Sequence, residues 1–539
     1  MRKLACFSLA FSAGIFLARY AFPDGAPLSL ALAFFCAAAL ALLLPQGLWR
    51  RRLFLCCVAL SLALGWDYLF LRQVARPAEA LAGTRLEARM TLLTDPEKTA
   101  FGARATVRAD GVAGKLVYYG GEDLLTLQAG DRLTGEVLLK SARTVRDENL
   151  TTFSSRGIFL LAYGRGEMRA ERGERTALRY LPQRAARALR ERVRLLFDDD
   201  VSGLLIGVLT GRKGELSAQA ETDLSECGLY HILAVSGMHC GFLLLFVTLF
   251  TGRHRRVLRS LLAVPLLLFY ALLTGASPST VRACVMLVFL LAAPLASRQS
   301  DPLTALSFAL MALLVQNPFA AQSVSLQLSF AAMAGLLCVT SRLYRALTDG
   351  ERCGALRRAL ALSVSASVGA LVFTAPITAY YFGIFVTVGV LSNLLCLPAA
   401  GALFLAGVAA VLLSFVFLPL GRLLALVATV FARYLLGAAH LLAKLPYHAV
   451  YLDNPYLKVW LAFAYLLFAI LWILRRKQKR EYLFALVLSC ATLAATVAAG
   501  EGLYTARLNA VAVDVGQGAC TILKSGKTSA IVIHVQKDK

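Results

Sequence analysis

The sequence predicts a polytopic α-helical membrane protein that carries a small inserted β-barrel domain. Hydrophobic residues make up 58% of the 539 positions and charged residues only 16%, a balance outside the range of soluble proteins. Apolar runs of membrane-spanning length recur from one end of the chain to the other and predict about thirteen crossings. Between residues 73 and 200 the pattern changes to frequent charges and short alternating runs, which are typical of strands.

Residues 1–72 form the N-terminal group of predicted membrane helices, with apolar runs at 4–22, 28–44 and 53–71. Because two further runs follow the first so closely, the first is interpreted as an uncleaved helix rather than a signal peptide. Basic residues precede the first run and separate the second from the third. The positive-inside rule therefore places the N-terminus in the cytoplasm and the segment after the third run outside.

The extracytoplasmic segment divides into a β domain and a linker. Residues 73–175 contain alternating runs separated by Gly and Asp turns, which predict a small barrel; these runs are TRLEARMTLL (84–93), ARATVRA (103–109), GKLVYYG (114–120) and DRLTGEVLL (131–139). Residues 176–200 combine apolar residues at helical spacing with arginines on the other face. They predict an amphipathic linker helix on the membrane surface.

Residues 201–500 form the predicted membrane core, and residues 501–539 form the tail. The core opens with GLLIGVLTG (203–211), which is too short to span a bilayer and predicts a re-entrant or interfacial piece. When the crossings alternate, the basic loops at 253–256, 342–358 and 475–480 all fall in the cytoplasm, and the tail falls outside. The basic loops also account for the net charge of +24, so charge alone does not indicate a nucleic-acid partner.

The stretch GLYHILAVSGMHCG (228–241) places His231, Ser236, Gly237 and His239 at the start of an apolar run. Ionisable groups in such segments are costly and usually face a cavity, a pathway or each other. No GxSxG elbow and no nearby acid accompany Ser236 and His239, and the two histidines lack the i,i+4 spacing of a helical zinc pair. A gate or constriction is therefore preferred over catalysis. The alternative is a solvated helix end near the interface.

Further polar residues recur in the following apolar runs and predict a polar path through the bundle; they are Ser277, Pro278, Ser279, Thr280, Arg282, Gln327, Ser329, Tyr380 and Asn393. A lining of hydroxyls, amides and aromatic faces would let a polyanion slide without trapping it. An arginine at that depth needs a carbonyl, a carboxylate or a phosphate as its partner. The alternative is that these groups hold helices together through hydrogen bonds, and for any single residue that alternative is at least as good.

These motifs resemble the ComEC family of bacterial channels that internalise single-stranded DNA during natural transformation. The matching motifs occur in the family's order: LTGRKGELS (209–217), GLYHILAVSGMHCG (228–241), GASPSTVRA (275–283), DPLTAL (301–306), QNP (316–318), QLSFAA (327–332), NLLCLP (393–398) and DVGQG (514–518). The resemblance implies an OB-like fold for 73–175, a cytoplasmic-membrane location and single-stranded DNA as the cargo. It also implies an outside DNA receptor and a helicase-type cytoplasmic motor. The chain itself contains no GxxxxGK[ST] nucleotide-binding loop.

In the family, DVGQG opens a metallo-β-lactamase-like nuclease domain, which needs a His- and Asp-rich metal cluster. Here Ala519 and Cys520 replace the family's acidic residue, and only His534 lies beyond the last predicted span. We therefore expect a truncated start of that domain, with no metal, no cofactor and no catalytic residue, and a nuclease encoded separately. Two other functions stay open. One is a small-solute or lipid transporter, which would need an intramembrane carboxylate or another coupling group, and the other is a non-functional remnant.

Overall fold

A computed structural model describes residues 3–99, 102–145, 148–149, 151–212, 214–252, 254–295, 301–348, 354–452, 455–473, 479–505, 508–513, 519–525 and 528–534. Parts of the three basic loops, the arginine next to the initiator methionine and the DVGQG motif (514–518) lie outside these residues. The chain divides into two compact units. The first comprises Met1–Phe373 with Val388–His448, and the second Thr374–Thr387 with Ala449–Lys539.

Helices dominate both units. In chain order they are α1 Lys3–Ala21, α2 Leu28–Ala41, α3 Leu48–Phe70, α4 Arg76–Glu79, α5 Leu181–Leu196, α6 Asp199–Thr210, α7 Ala218–Glu226, α8 Gly237–Thr251, α9 Arg256–Leu273, α10 Pro278–Leu295, α11 Pro302–Gln316, α12 Val324–Gly335, α13 Ser341–Thr348, α14 Ala355–Phe382, α15 Gly389–Val416, α16 Leu418–Ala443, α17 Pro455–Ile473 and α18 Lys479–Thr505. Among the described residues, seven helices are long and apolar enough to cross a membrane, and six shorter apolar helices accompany them. The predicted mostly helical architecture is confirmed, whereas the number of crossings stays a prediction.

Strands fall in the predicted β domain and near the C-terminus. They are β1 Arg85–Leu92, β2 Glu97–Thr99, β3 Gly102–Ala109, β4 Lys115–Gly120, β5 Arg132–Ser141, β6 Thr144–Val145, β7 Glu148–Asn149, β8 Ile158–Glu171, β9 Ile384–Val386, β10 Ala449–Tyr451, β11 Leu508–Val513, β12 Ala519–Ser525 and β13 Thr528–His534. Near the C-terminus, β11, β12 and β13 form a three-stranded antiparallel sheet.

A closed five-stranded barrel occupies the predicted β domain. The strand order is β1-β5-β8-β4-β3, and β3 pairs again with β1 to complete the ring. Every neighbouring pair is antiparallel except β4 with β8, which run parallel. Alternate residues such as Met90, Leu92, Val107, Leu116 and Leu160 are buried in its core, as the two-residue period of a strand requires. The prediction of a small barrel is confirmed.

Aromatic residues fix the barrel to the helices of the first unit. Phe70 at the end of α3, Phe159 on β8 and Phe319 in the turn after α11 form a mutual cluster, with ring centroids 5.3–6.3 Å apart. The Asn317 amide donates a hydrogen bond to the Ser154 carbonyl at 2.9 Å. The barrel therefore has a defined position on the first unit, since residues far apart in sequence share one apolar contact.

The linker helix α5 is a second attachment of the barrel. Arg187 and Arg190 bind the Asp95 carboxylate at 2.8 and 2.9 Å. Burial and the neighbouring Arg212 lower the pKa of Arg190 to about 10, although Asp95 opposes this change. Arg190 therefore remains charged at neutral pH. Sequence periodicity placed the arginines on an open face of the helix, but two of them hold the barrel.

Candidate functional site

The helices α8 and α10 begin side by side in the first unit, and their N-termini meet at Val235. The Ser279 and Thr280 hydroxyls donate to the Val235 carbonyl at 2.8 and 3.4 Å. A Cβ added at Gly237 would lie 3.7 Å from the Cβ of Ala283, so the two helix starts are in close contact. Because each helix N-terminus carries a partial positive charge, this junction is electropositive.

The hydroxyls at the start of α10 are occupied by one another. Ser277 Oγ lies 2.8 Å from Thr280 Oγ1, and the Thr280 backbone N–H donates to Ser277 Oγ at 3.3 Å. Thr274 also donates to Thr280 Oγ1 at 3.4 Å. In this conformation Ser277, Ser279 and Thr280 therefore act as helix caps and interhelical hydrogen bonds, which favours the structural interpretation for these three candidates. Pro278 is the first residue of α10.

Ser236 and His239 form a helix cap. Ser236 is the N-cap of α8, and its hydroxyl accepts the Met238 backbone N–H at 3.4 Å. In return His239 Nδ1 accepts the Ser236 backbone N–H at 3.1 Å, which completes a capping box. Since Nδ1 is the acceptor, the proton of a neutral ring is assigned to Nε2. The pair is therefore organised to start a helix rather than to activate a nucleophile.

The His239 ring is enclosed by aromatic side chains from three helices. Its exposure is 0%, and its centroid lies 5.5 Å from that of Phe404 on α15 and 6.3 Å from that of Phe242. Tyr270 on α9 packs against Phe404, with ring centroids 6.4 Å apart. Within the described part of the chain, His239 Nε2 and Tyr270 Oη have no hydrogen-bond partner; the Ile232 carbonyl faces the His239 ring outside hydrogen-bond geometry. We call Phe242, Tyr270 and Phe404 the aromatic cage.

None of the three members of the cage was identified from sequence. A tyrosine within the apolar run of α9 was a usable signal for Tyr270, because a buried phenol needs a partner. Phe404 gave no signal, since it is one apolar residue among many. His231, by contrast, lies outside the cage in the turn before α8: its ring is exposed, and its Nδ1 is 2.8 Å from the Gly228 carbonyl.

Arg282 is enclosed between α10 and α12. It is 2% exposed, and its Nε and Nη1 atoms have no hydrogen-bond partner among the described residues. Its guanidinium carbon lies 5.7 Å from the centroid of Phe330. Gln327, one helical turn before Phe330 on the same face of α12, donates to the Tyr20 hydroxyl and to the Ala321 carbonyl. Ser329 is half-buried on the same helix.

The last two candidates lie further along the chain. Asn393, near the start of α15, has a buried Oδ1 with no hydrogen-bond partner in the residues described. Tyr380 belongs to the second unit, where it is exposed and packs against Tyr381 with centroids 5.0 Å apart. The first unit thus gathers His239, Arg282 and their neighbours around α8 and α10.

Helix α7, which leads into this junction, is attached to α16 and the loop after it by histidine–carboxylate contacts that the sequence analysis missed. His440 Nδ1 lies 2.9 Å from Asp223, and His448 Nε2 lies 3.1 Å from Glu226. Asp223 and His440 line a cavity of about 200 Å³. Across the described ranges, no group of three or more His, Cys, Asp or Glu side chains is arranged to hold a metal ion.

The Competence protein family matches residues 208–478, half of the chain. ComE operon protein 3 of Bacillus subtilis (strain 168) is 29% identical over 234 residues, which are 42% of this chain and 28% of that protein. The chain therefore spans little more than a quarter of this relative's length. No solved structure matches the chain. Because the match covers half of the chain and includes every candidate residue from His231 to Asn393, the chain belongs to the ComEC-type competence protein family.

Proposed function

We propose that this chain forms a membrane channel through which single-stranded DNA enters the cytoplasm during natural transformation. The observation that carries this proposal is the competence-family match over residues 208–478, which contains the whole α8–α10 junction. A DNA strand presents phosphates and bases together. Its route therefore needs polar donors and flat aromatic surfaces without sequence preference, and the junction supplies both kinds of group.

His239 and the aromatic cage are the proposed constriction. The cage is contributed by α8, α9 and α15, so a change in the relative position of these helices would open or close it. His239 Nε2 and Tyr270 Oη are buried donors without partners in the described structure, and leaving such groups unpaired costs free energy. A passing base or phosphate would satisfy them.

The membrane arrangement belongs to the same proposal. The seven long and six shorter apolar helices support about thirteen crossings. We place the N-terminus in the cytoplasm and the barrel and tail outside, and we assign the barrel to the OB-like class on its closed five-stranded order. An outside DNA receptor and a helicase-type cytoplasmic motor are the proposed partners.

One observation bears on the transporter alternative. Ion-coupled transport needs an intramembrane carboxylate, and Asp67 on α3 is buried, with 1% exposure. Asp67 is ion-paired with Arg19, however, and such a pair is more typical of a structural contact than of an ion-coupling site. Failure of the uptake test would leave the transporter and the non-functional remnant as the alternatives.

The test is uptake of labelled DNA by cells that lack their own channel. We expect this chain to restore uptake and His239→Ala to lower it by about tenfold or more, which corresponds to about 1.4 kcal/mol at the constriction. Leu249→Ala is the matched control, since Leu249 lies exposed on the same helix, and it should retain uptake. Absence of uptake by the unsubstituted chain at equal membrane expression would contradict the channel.

A separate labelling experiment tests the orientation. Lys98→Cys, on the exposed surface of β2, should react with a membrane-impermeant maleimide in intact cells. Arg345→Cys, on exposed α13, should react only after permeabilisation. The reverse pattern would overturn the proposed topology, and the unsubstituted chain reports the background from its own cysteines.

A further inference from the structure

Three arginines are buried in the described part of the chain, and they differ in their partners. Arg19 is paired with Asp67, and Arg190 with Asp95. Arg282 has no carboxylate within ion-pair distance among the described residues, and two of its three nitrogens have no hydrogen-bond partner. An uncompensated buried charge is strongly unfavourable. Arg282 therefore needs a partner, and the described residues do not provide one.

The surroundings of Arg282 favour an anion as that partner. Arg282 lies near the start of α10, where the helix macrodipole adds partial positive charge. Phe330 covers the guanidinium from α12, and the Gln327 amide lies one turn away on the same face of that helix. A planar guanidinium offers two parallel N–H donors whose spacing fits the oxygens of a phosphate.

We propose that Arg282 binds a phosphate oxygen of the DNA strand, at a position between α10 and α12. The proposal rests on the proposed channel function and names the chemical group that the channel holds. In the present conformation the guanidinium is enclosed, so α10 and α12 must separate when the strand enters. Since no carboxylate among the described residues pairs with Arg282, each phosphate can replace the previous one without breaking such an ion pair.

Burial argues against a phospholipid headgroup as the source of the phosphate. A side chain that faces lipid lies on the outer surface of the helices, where Leu249 and Leu261 are exposed. Arg282 is 2% exposed and therefore faces protein. A strand that passes between the helices can reach it, whereas a headgroup outside the bundle cannot.

The test measures the salt dependence of oligonucleotide binding. The full chain is placed in nanodiscs of phosphatidylcholine, and binding of a fluorescent oligodeoxythymidylate is followed at several salt concentrations. Loss of one phosphate contact reduces the slope of log K against log salt concentration by about 0.7 for a single strand. We expect this reduction in Arg282→Gln, and retention of the slope with weaker binding in Arg282→Lys. Arg433→Gln is the control, since Arg433 is an exposed arginine that pairs with Asp198.

A folding defect is excluded by thermal unfolding of the same samples. We expect Arg282→Gln to unfold at the same temperature as the unsubstituted chain or at a higher one, because it removes an unpaired buried charge. An unchanged slope in Arg282→Gln would overturn the proposal, as would a slope reduction of equal size in Arg433→Gln. Lower thermal stability of Arg282→Gln would also overturn it, since it would indicate a structural role.

Three further results separate this proposal from its alternatives. If the unsubstituted chain restores uptake but Arg282→Gln leaves the slope unchanged, the phosphate contact is wrong and the channel stands. If the unsubstituted chain neither binds the oligonucleotide nor restores uptake, the channel fails and the contact fails with it. Loss of bound phosphatidylglycerol from Arg282→Gln in native mass spectrometry, with an unchanged oligonucleotide slope, would assign the site to lipid and overturn the proposal.

Discussion

Arg19 and Arg282 lie in similar environments in different helices, but among the described residues only Arg19 has a counter-charge. Both are almost fully buried, at 1% and 2% exposure, and each lies over a phenylalanine ring, Phe319 for Arg19 and Phe330 for Arg282. Arg19 on α1 is ion-paired with Asp67 on α3. Arg282 on α10 has no such pair in the described part of the chain.

The difference indicates which buried charge serves the fold. Arg19 connects α1 to α3, its carbonyl accepts a hydrogen bond from Gln322, and its ring contact is Phe319, which also anchors the barrel. The charge of Arg19 is therefore neutralised by a contact that stabilises the fold. Arg282 makes no comparable connection, so its charge remains available to a ligand. Burial alone therefore does not distinguish the two arginines; the presence of a carboxylate does.

The largest expected effect comes from breaking the Arg19 pair. Arg19→Leu leaves Asp67 buried without a counter-charge and should lower the free energy of unfolding by about 3–5 kcal/mol. The double variant Arg19→Leu/Asp67→Leu should recover most of this loss, since it removes both charges. Denaturant unfolding in detergent measures both. Full stability of the single variant would remove the contrast with Arg282.

A paired charge in the barrel extends the comparison to pH. Burial would raise the pKa of Asp131, but hydrogen bonds from Arg175 and from the Gln128 and Gly173 backbone N–H groups outweigh it and lower that pKa below its usual value. Asp131→Asn should therefore cost about 1.5–3 kcal/mol at neutral pH.

The sign of the Asp131 effect follows from its lowered pKa. The stabilisation is fully present above the usual carboxyl range near pH ~4 and is lost as pH falls through the lower pKa of the folded state. Unfolding curves of the unsubstituted chain and Asp131→Asn should thus converge in strong acid. A difference in stability that does not vary with pH would contradict the assignment.

A smaller effect is expected from the packing that positions α12 behind Arg282. A Cβ at Gly335 would overlap the Gly369 carbonyl oxygen of α14. Gly335→Ala should therefore destabilise the chain by about 1–3 kcal/mol and lower DNA uptake, because α12 carries Phe330. Gly437→Ala on α16 is the matched control, since no atom lies within 4 Å of its added Cβ. Equal behaviour of the two variants would contradict this role of Gly335.

The smallest stability change is expected at Arg282 itself. Arg282→Leu, the substitution matched to Arg19→Leu, should change the free energy of unfolding by less than about 0.5 kcal/mol or raise it, because an apolar residue replaces an uncompensated charge. The same denaturant series measures it. A loss of several kcal/mol would show that Arg282, like Arg19, serves the fold.

Much of the local structure was readable from the sequence. Apolar runs predicted the helices because a bilayer requires long uninterrupted apolar segments, and two-residue alternation predicted the barrel strands. The ordered motifs identified the family. The closeness of Ser236 and His239 was also predictable, since residues three apart share a helix face.

The tertiary structure decided which polar residues have partners. Arg19 meets Asp67 across 48 residues and Arg190 meets Asp95 across 95, and no local pattern encodes either contact. Three other features also depend on contacts between distant segments. Strand β4 pairs in parallel with β8, Phe404 and Tyr270 lie near His239, and Arg282 has no carboxylate partner among the described residues. The sequence by itself determined the helices, the barrel strands and the candidate residues, because these depend on periodicity over a few turns. Only packing between distant segments determined which charges are neutralised. A counter-charge must lie close in space, whatever its separation along the chain.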